Sequence, residues 1–154
     1  MRRVIRWKAW AAAAVLGLSS FVAATGAAHA SPKPKIEWLR VDVPDGEDAT
    51  RLGKLLKEAL KQAAKRANFG KAGGTVLLSA RITELSIEEH GDVLRVSCTA
   101  MGRVAGGAGA RSRISYGGDP EKREELEKEV LTQVANGLVA RLAQIVRTRT
   151  PKVR

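Results

Sequence analysis

Two long alternating runs constrain this chain more than anything else in it. "TVLLSARITELSIEE" (75–89) and "VLRVSCTAMGRV" (93–104) are separated only by "HGD" (90–92). Val76, Leu78, Ala80 and Ile82 fall on every second position of the first run. Leu94, Val96, Cys98 and Ala100 do so in the second. A period of two puts each set on one face of a strand, and the short polar break predicts an antiparallel hairpin. In the first run the apolar parity then moves to Leu85 and Ile87, which predicts a bulge near Thr83-Glu84. A hairpin this long with one apolar side needs a cover, and the rest of the chain supplies one.

Two helical patterns flank it. In 49–68 the apolar residues Leu52, Leu55, Leu56, Ala59, Leu60, Ala63 and Ala67 make one stripe at 100° per residue. "PDGED" (44–48) precedes this helix, with Asp48 or Thr50 placed to cap it, and "NFGKAGG" (68–74) follows with glycines suited to a left-handed cap. The second helix, 120–148, places Leu126, Val130, Val134, Leu138, Leu142 and Ile145 at steps of three and four. Asp119 stands as its cap and Pro120 at its first position. Its start is acidic and its end basic, as the helix dipole favours. "IEWLRVDV" (36–43) reads as a further strand. So does "RSRISY" (111–116), with Ile114 and Tyr116 on one side, after the glycine-rich link "AGGAGA" (105–110). The order is β-α-β-β-β-α. The first βαβ unit is expected to be parallel and right-handed, and the later strands antiparallel. Two helices and four strands give an α/β (α+β) two-layer sandwich, a mixed four-stranded sheet with both helices on one face.

The front of the chain is an address. Arg2, Arg3, Arg6 and Lys8 precede an apolar stretch, and Ala28-His29-Ala30 offers small residues to a signal peptidase. Cleavage is expected after Ala30, placing the mature protein in the periplasm or outside the cell. A retained anchor is the rival reading, but the stretch is mostly Ala, Gly and Ser, which partition poorly into hydrocarbon. Arg2-Arg3 hints at a twin-arginine signal, yet Arg6 stands where that signal has an apolar residue. No cysteine follows the apolar stretch, so a lipid anchor is not supported and no membrane span is expected after cleavage. The boundaries are a signal at 1–30, a Pro-punctuated lead at 31–35, one domain at 36–147 and a basic tail at 148–154.

The formal net charge is +11, and all 16 acids lie beyond the signal. Two surfaces could carry it. Arg51, Lys54, Lys57, Lys61 and Lys65 cluster opposite the leucines of the first helix, where lysine is simply a good helix former in water. The other surface is the sheet face that no helix covers. Parity assigns it Arg81 from the second strand, Arg95 and Arg103 from the third, and Arg111 and Arg113 from the fourth. From the first strand it assigns Ile36, Trp38, Arg40 and Asp42, with Asp42 its only acid. Guanidinium groups bind carboxylates and phosphates through paired hydrogen bonds, which an ammonium cannot do. The binding residues are therefore expected to be Arg81, Arg95, Arg103, Arg111, Arg113, Arg40 and Trp38. A merely solvated polar face is the competing reading.

Beyond the signal only Trp38, Phe69 and Tyr116 are aromatic, too few for the stacking platforms of nucleic-acid or sugar sites. Cys98, the single cysteine, shares the inner parity and reads as core. No cofactor or metal is expected. His90 is the only histidine of the mature chain, and "EEHGD" (88–92) makes an ordinary polar hairpin tip. "GGAGARS" lacks the last glycine of a dinucleotide fingerprint and leads into a strand. Catalysis is not expected.

The element order, the export signal, and the hairpin "LLSARITELSIEEHGDVLRVSCTAMGRV" with its long closing helix resemble small α/β domains of bacterial envelope proteins. These include the N-terminal domain of TolB and the related CsgG-like and LpoB-like modules. The likeness spans about residues 36–147 and has no diagnostic motif. It implies a non-catalytic part that docks onto other envelope proteins, and transfers no functional residue. No propeller and no lipid-bearing cysteine accompany it. The expected function is an exported binding or adaptor domain whose partner is an envelope protein or anionic surface, with no nucleic acid. The alternative is electrostatic binding of anionic lipid or envelope polymer through the lysine helix and basic tail.

Overall fold

The computed structural model describes residues 33–71 and 73–149. The expected signal at 1–30 and the expected tail beyond 149 lie outside the described residues. Strand β1 is Lys35–Asp42, helix α1 Ala49–Arg66, β2 Thr75–His90, β3 Val93–Val104 and β4 Gly109–Gly118. A 3₁₀ turn, Pro120–Lys122, leads into helix α2, Arg123–Arg149. The sheet order is β1-β2-β3-β4, with β1 parallel to β2 and the other pairs antiparallel. This is the expected two-layer β-α-β-β-β-α sandwich, and both helices share one apolar core with the sheet.

Local chemistry explains the ends of the elements. Gly91 takes a φ of 61° in the two-residue turn between β2 and β3, a conformation glycine adopts without steric cost. Asp119 accepts a hydrogen bond from the Glu121 N–H at 3.0 Å ahead of Pro120, the capping arrangement read from the sequence. At α1 the expectations shift. Asp48 stands at the cap position, but its carboxylate turns to Arg51 and not to a backbone N–H. The helix ends at Arg66 with Ala67 extended, so no left-handed residue caps it. Gly70 and Gly74 take positive φ further along the loop.

The covered face of the sheet is close-packed. Leu78, Leu94, Val96, Leu56, Leu60, Leu138 and Leu142 are each almost wholly buried, as is Cys98. Desolvation, and secondarily the charge of Glu84, pushes the Cys98 thiol up to about 12, so it remains a neutral, apolar core group. Small residues set how near α2 can come. A Cβ on Gly102 would stand 2.9 Å from a Leu142 methyl, and one on Gly137 only 2.7 Å from the Ser112 hydroxyl. Helix α2 therefore sits on β3 and β4 at glycine distance. Its buried face is broader than the expected stripe: Leu131, Ala135, Val139, Ala143 and Val146 join it, while Leu126 and Ile145 are only partly buried. That breadth arises because α2 packs on the sheet and on α1 at once.

The two helices are also tied by charge. Glu127 is buried (1% exposed) and accepts from Arg51 at 2.5 Å and from Arg123 at 2.9 Å. Arg51 in turn meets Asp48 at 3.2 Å. A buried carboxylate needs such partners, because burying it alone would cost several kcal/mol, on the order of its effective desolvation penalty. Arg51 was expected among the solvated cations of α1. It is instead half-buried, and its proton is held more tightly than usual by hydrogen bonds to Asp48 and Glu127.

Candidate functional site

The side of the sheet away from α1 and α2 has no covering element among the described residues, and pairing registers fix what stands on it. Adjacent residues on this face lie about 7 Å apart along a strand and about 4.8 Å apart between strands. One row reads Asp42, Arg81, Met101, Arg111. The next toward the hairpin tip reads Glu84, Thr99, Arg113, and the next in the opposite direction reads Arg40, Ser79, Arg103. Arg40, Arg81, Arg95, Arg103, Arg111 and Arg113 are all exposed and all on this face, as expected.

Two bulges revise the rest. In β1 the register slips between Trp38 and Arg40, leaving Leu39 unpaired and 62% exposed. Before the slip, Ile36 and Trp38 pair beside Val76 and Leu78 and pack against the core. Only Arg40 and Asp42, after it, stand on the open face. Trp38 therefore packs, partly buried, on the core side of the sheet and does not stand on the open face. Counting parity straight through "IEWLRVDV" cannot reveal this, because the bulge reverses the phase midway. In β2 the expected bulge is present, between Ile82 and Glu84. Its consequence for the open face is that Glu84, Ser86 and Glu88 now point there. Asp42 is thus not the sole acid of the face: Glu84 and Glu88 share it, and so does Glu37 from the first half of β1.

The acids do not neutralise the face evenly. Lys35 pairs with Glu37 at 2.7 Å, and Arg40 with Asp42 at 2.6 Å, so β1 satisfies its own charges. Those contacts hold the protons of Lys35 and Arg40 more tightly than usual. Glu84 accepts from the Thr99 hydroxyl at 3.2 Å, and Glu88 from Ser86 at 2.7 Å. By contrast, no salt bridge or hydrogen bond among the described residues engages the guanidinium groups of Arg81, Arg95, Arg103, Arg111 or Arg113. Arg95 lies beside Glu88 in register, toward the acidic end. Arg81, Arg103, Arg111 and Arg113 surround Met101 and Thr99 at the opposite end. Thr99 is fully buried beneath them and Met101 partly so, giving this quarter a firm floor.

Such an array can hold carboxylate or phosphate groups. Among the described residues no three His, Cys, Asp or Glu side chains converge as metal ligands, and His90 lies exposed at the end of β2 beside Val93, Arg95 and Gly117. No described helix is long and apolar enough to cross a membrane. The residue that sequence reasoning missed altogether is Glu127. A signal for it exists: Glu127 falls three and four positions before Val130 and Leu131, inside the apolar stripe, and four after Arg123.

The chain matches no protein-family model and no curated protein sequence. Solved structures do resemble it. One is a candidate lipoprotein from Caulobacter crescentus CB15, with TM-score 0.43 and 18% identity, covering 73% of this chain and 88% of that one. A minor lipoprotein from Acinetobacter baumannii gives 0.41 and 13%, over 74% and 93%. Rare lipoprotein B from Shewanella oneidensis gives 0.37 and 16%, over 71% and 97%. At these identities the likeness is one of fold.

Proposed function

We propose that this chain is an exported, non-catalytic binding or adaptor domain of the bacterial cell envelope that docks an acidic partner protein on the arginine quarter of its open sheet. The observation that carries the reading is the set of four exposed guanidinium groups, Arg81, Arg103, Arg111 and Arg113, left without ion-pair partners around buried Thr99 and half-buried Met101. Surface arginines normally find partners cheaply. Their grouping on a sheet, where each side chain projects from a fixed backbone position, suits paired recognition of carboxylates. The export signal read from the sequence supports an envelope location.

The test compares two variants against an envelope extract, with captured proteins identified by mass spectrometry. One changes Arg81, Arg103, Arg111 and Arg113 to Ala; the other changes Lys54, Lys57, Lys61 and Lys65 to Ala. The sheet variant is expected to lose a protein that the wild type and the helix variant both retain. Loss only in the helix variant, together with its weakened binding to anionic vesicles, would favour the electrostatic alternative. Retention by both would remove the open face as the site.

A further inference from the structure

We infer that the partner engages β4 as an added strand, an extended acidic segment lying antiparallel along the free edge of the sheet. This deepens the proposed function and rests on it. The starting point is which backbone groups of β4 are unused. β4 pairs with β3 alone. Val104 N–H donates to Ala108 at 3.3 Å, so by antiparallel alternation the residues that exchange bonds with β3 are Ala110, Ser112, Ile114 and Tyr116. The N–H and C=O groups of Arg111, Arg113 and Ser115 then point off the edge.

Two independent contacts agree. The Arg111 carbonyl accepts from Arg141 Nη1 at 2.7 Å, which requires it to face outward. Thr99, the register partner of Arg113, gives its carbonyl to the Thr83 hydroxyl on the β2 side, so Thr99 and Arg113 do not exchange bonds. Arg113 therefore offers both its N–H and its C=O off the edge and Arg111 its N–H, the Arg111 carbonyl being held by Arg141, and both residues raise unpaired guanidinium groups on the open face. A strand bonded to the Arg111 N–H, to Arg113 and to Ser115 would place its own directly opposite side chains beside them, about 5.5 Å away between Cα atoms. Aspartate or glutamate suits those positions. The residue in between would face the helix side, next to half-buried Ile114 and to Tyr116, which is 40% exposed. The segment that fits alternates acidic and apolar residues.

A second copy of this chain is a poor occupant of the same edge. An antiparallel β4 pair centred anywhere from Arg111 to Arg113 sets arginine opposite arginine, an unfavourable like-charge pair. The β1 edge is also unsuited, being bulged at Leu39 with its cations already paired.

The experiment uses a fluorescent eight-residue peptide alternating glutamate and valine, and the same peptide with alternate backbone nitrogens methylated to remove one edge of donors. The protein is tested as wild type, as Ser115→Pro and as Arg111→Ala/Arg113→Ala. Proline at 115 removes only an edge-facing N–H, so β4 keeps its pairing with β3. Thermal melts check this. If that variant does not fold, hydrogen exchange on the wild type decides instead, through protection of the Arg113 and Ser115 amides by the peptide. Strand addition is supported if methylation and Ser115→Pro each weaken binding tenfold or more and those amides become protected. Binding that depends on the arginines but ignores methylation and Ser115→Pro overturns strand addition and leaves the proposed function standing. Absence of peptide binding overturns strand addition too, and the proposed function is then judged by the extract experiment alone. A wild-type dimer that Ser115→Pro abolishes would overturn the assignment to a partner protein.

Discussion

β1 and β4 border the same sheet and both raise arginine on its open face, yet they are prepared for different things. β1 is bulged, satisfies its charges within the strand and gives its tryptophan to the core. β4 is regular, leaves Arg111 and Arg113 without partners and is backed by α2 at glycine distance. Each raises two cations on this face, Lys35 and Arg40 on β1 and Arg111 and Arg113 on β4, so their number does not distinguish them. What distinguishes them is whether an acid stands two residues away on the same face, as Asp42 does from Arg40.

The packing side of this comparison gives the largest expected effect. Gly137→Val should destabilise the protein by about 2–3 kcal/mol, since the new side chain has to displace buried Ser112 and with it β4. Chemical denaturation measures this. The same kind of change on the β1 side should have the opposite sign. A Cβ on Gly53 meets only a Val43 methyl at 3.7 Å, so Gly53→Ala should stabilise by about 0.5–1 kcal/mol through helix propensity. If both substitutions destabilise equally, the two borders are not packed differently.

Between these two in size lies Glu127→Ala. It removes the acid joining the helices but leaves Arg51 and Arg123 partly exposed and able to rehydrate, so about 1–2 kcal/mol is expected, below the full cost of orphaning a buried charge. The smallest expected effect is on acid stability. Hydrogen bonding from Arg51 holds the Asp48 carboxyl below its ordinary 3.8. A group with its folded value lowered adds stability above the unfolded value and loses it as the pH falls through the folded one. Asp48→Asn should therefore flatten the pH dependence of the melting temperature below about pH 4 and change little near neutrality.

Much of this was legible in the sequence. The long hairpin, both helices, the bulge at Thr83-Glu84 and the inward place of Cys98 follow from periodicity, because a two-residue alternation has only two phases and the leucines choose one. Failures came where a phase change leaves more than one reading of the alternation open. In β1 the slip at Leu39 is followed by Val41 and Val43 on the core side, but exposed Leu39 is apolar too, so alternation alone does not say which half of the run faces the core, and Ile36 and Trp38 are placed on the wrong face. In β2 the apolar residues announced the bulge, but its corollary, that Glu84 and Glu88 rotate onto the open face, concerns polar residues that no core requirement fixes. Glu127 was hidden for a related reason. A glutamate near a helix start is ordinary, so its place in the apolar stripe is easily passed over, and its second partner, Arg51, stands on another element.

The most direct measurement of the central claim is the affinity of the protein for an acidic partner segment when a single arginine is removed from each border. Arg113→Ala should weaken binding about tenfold or more, the worth of one charge-assisted pair, while Arg40→Ala changes it less than twofold. Equal losses from the two substitutions, or a larger loss from Arg40→Ala, would contradict the account.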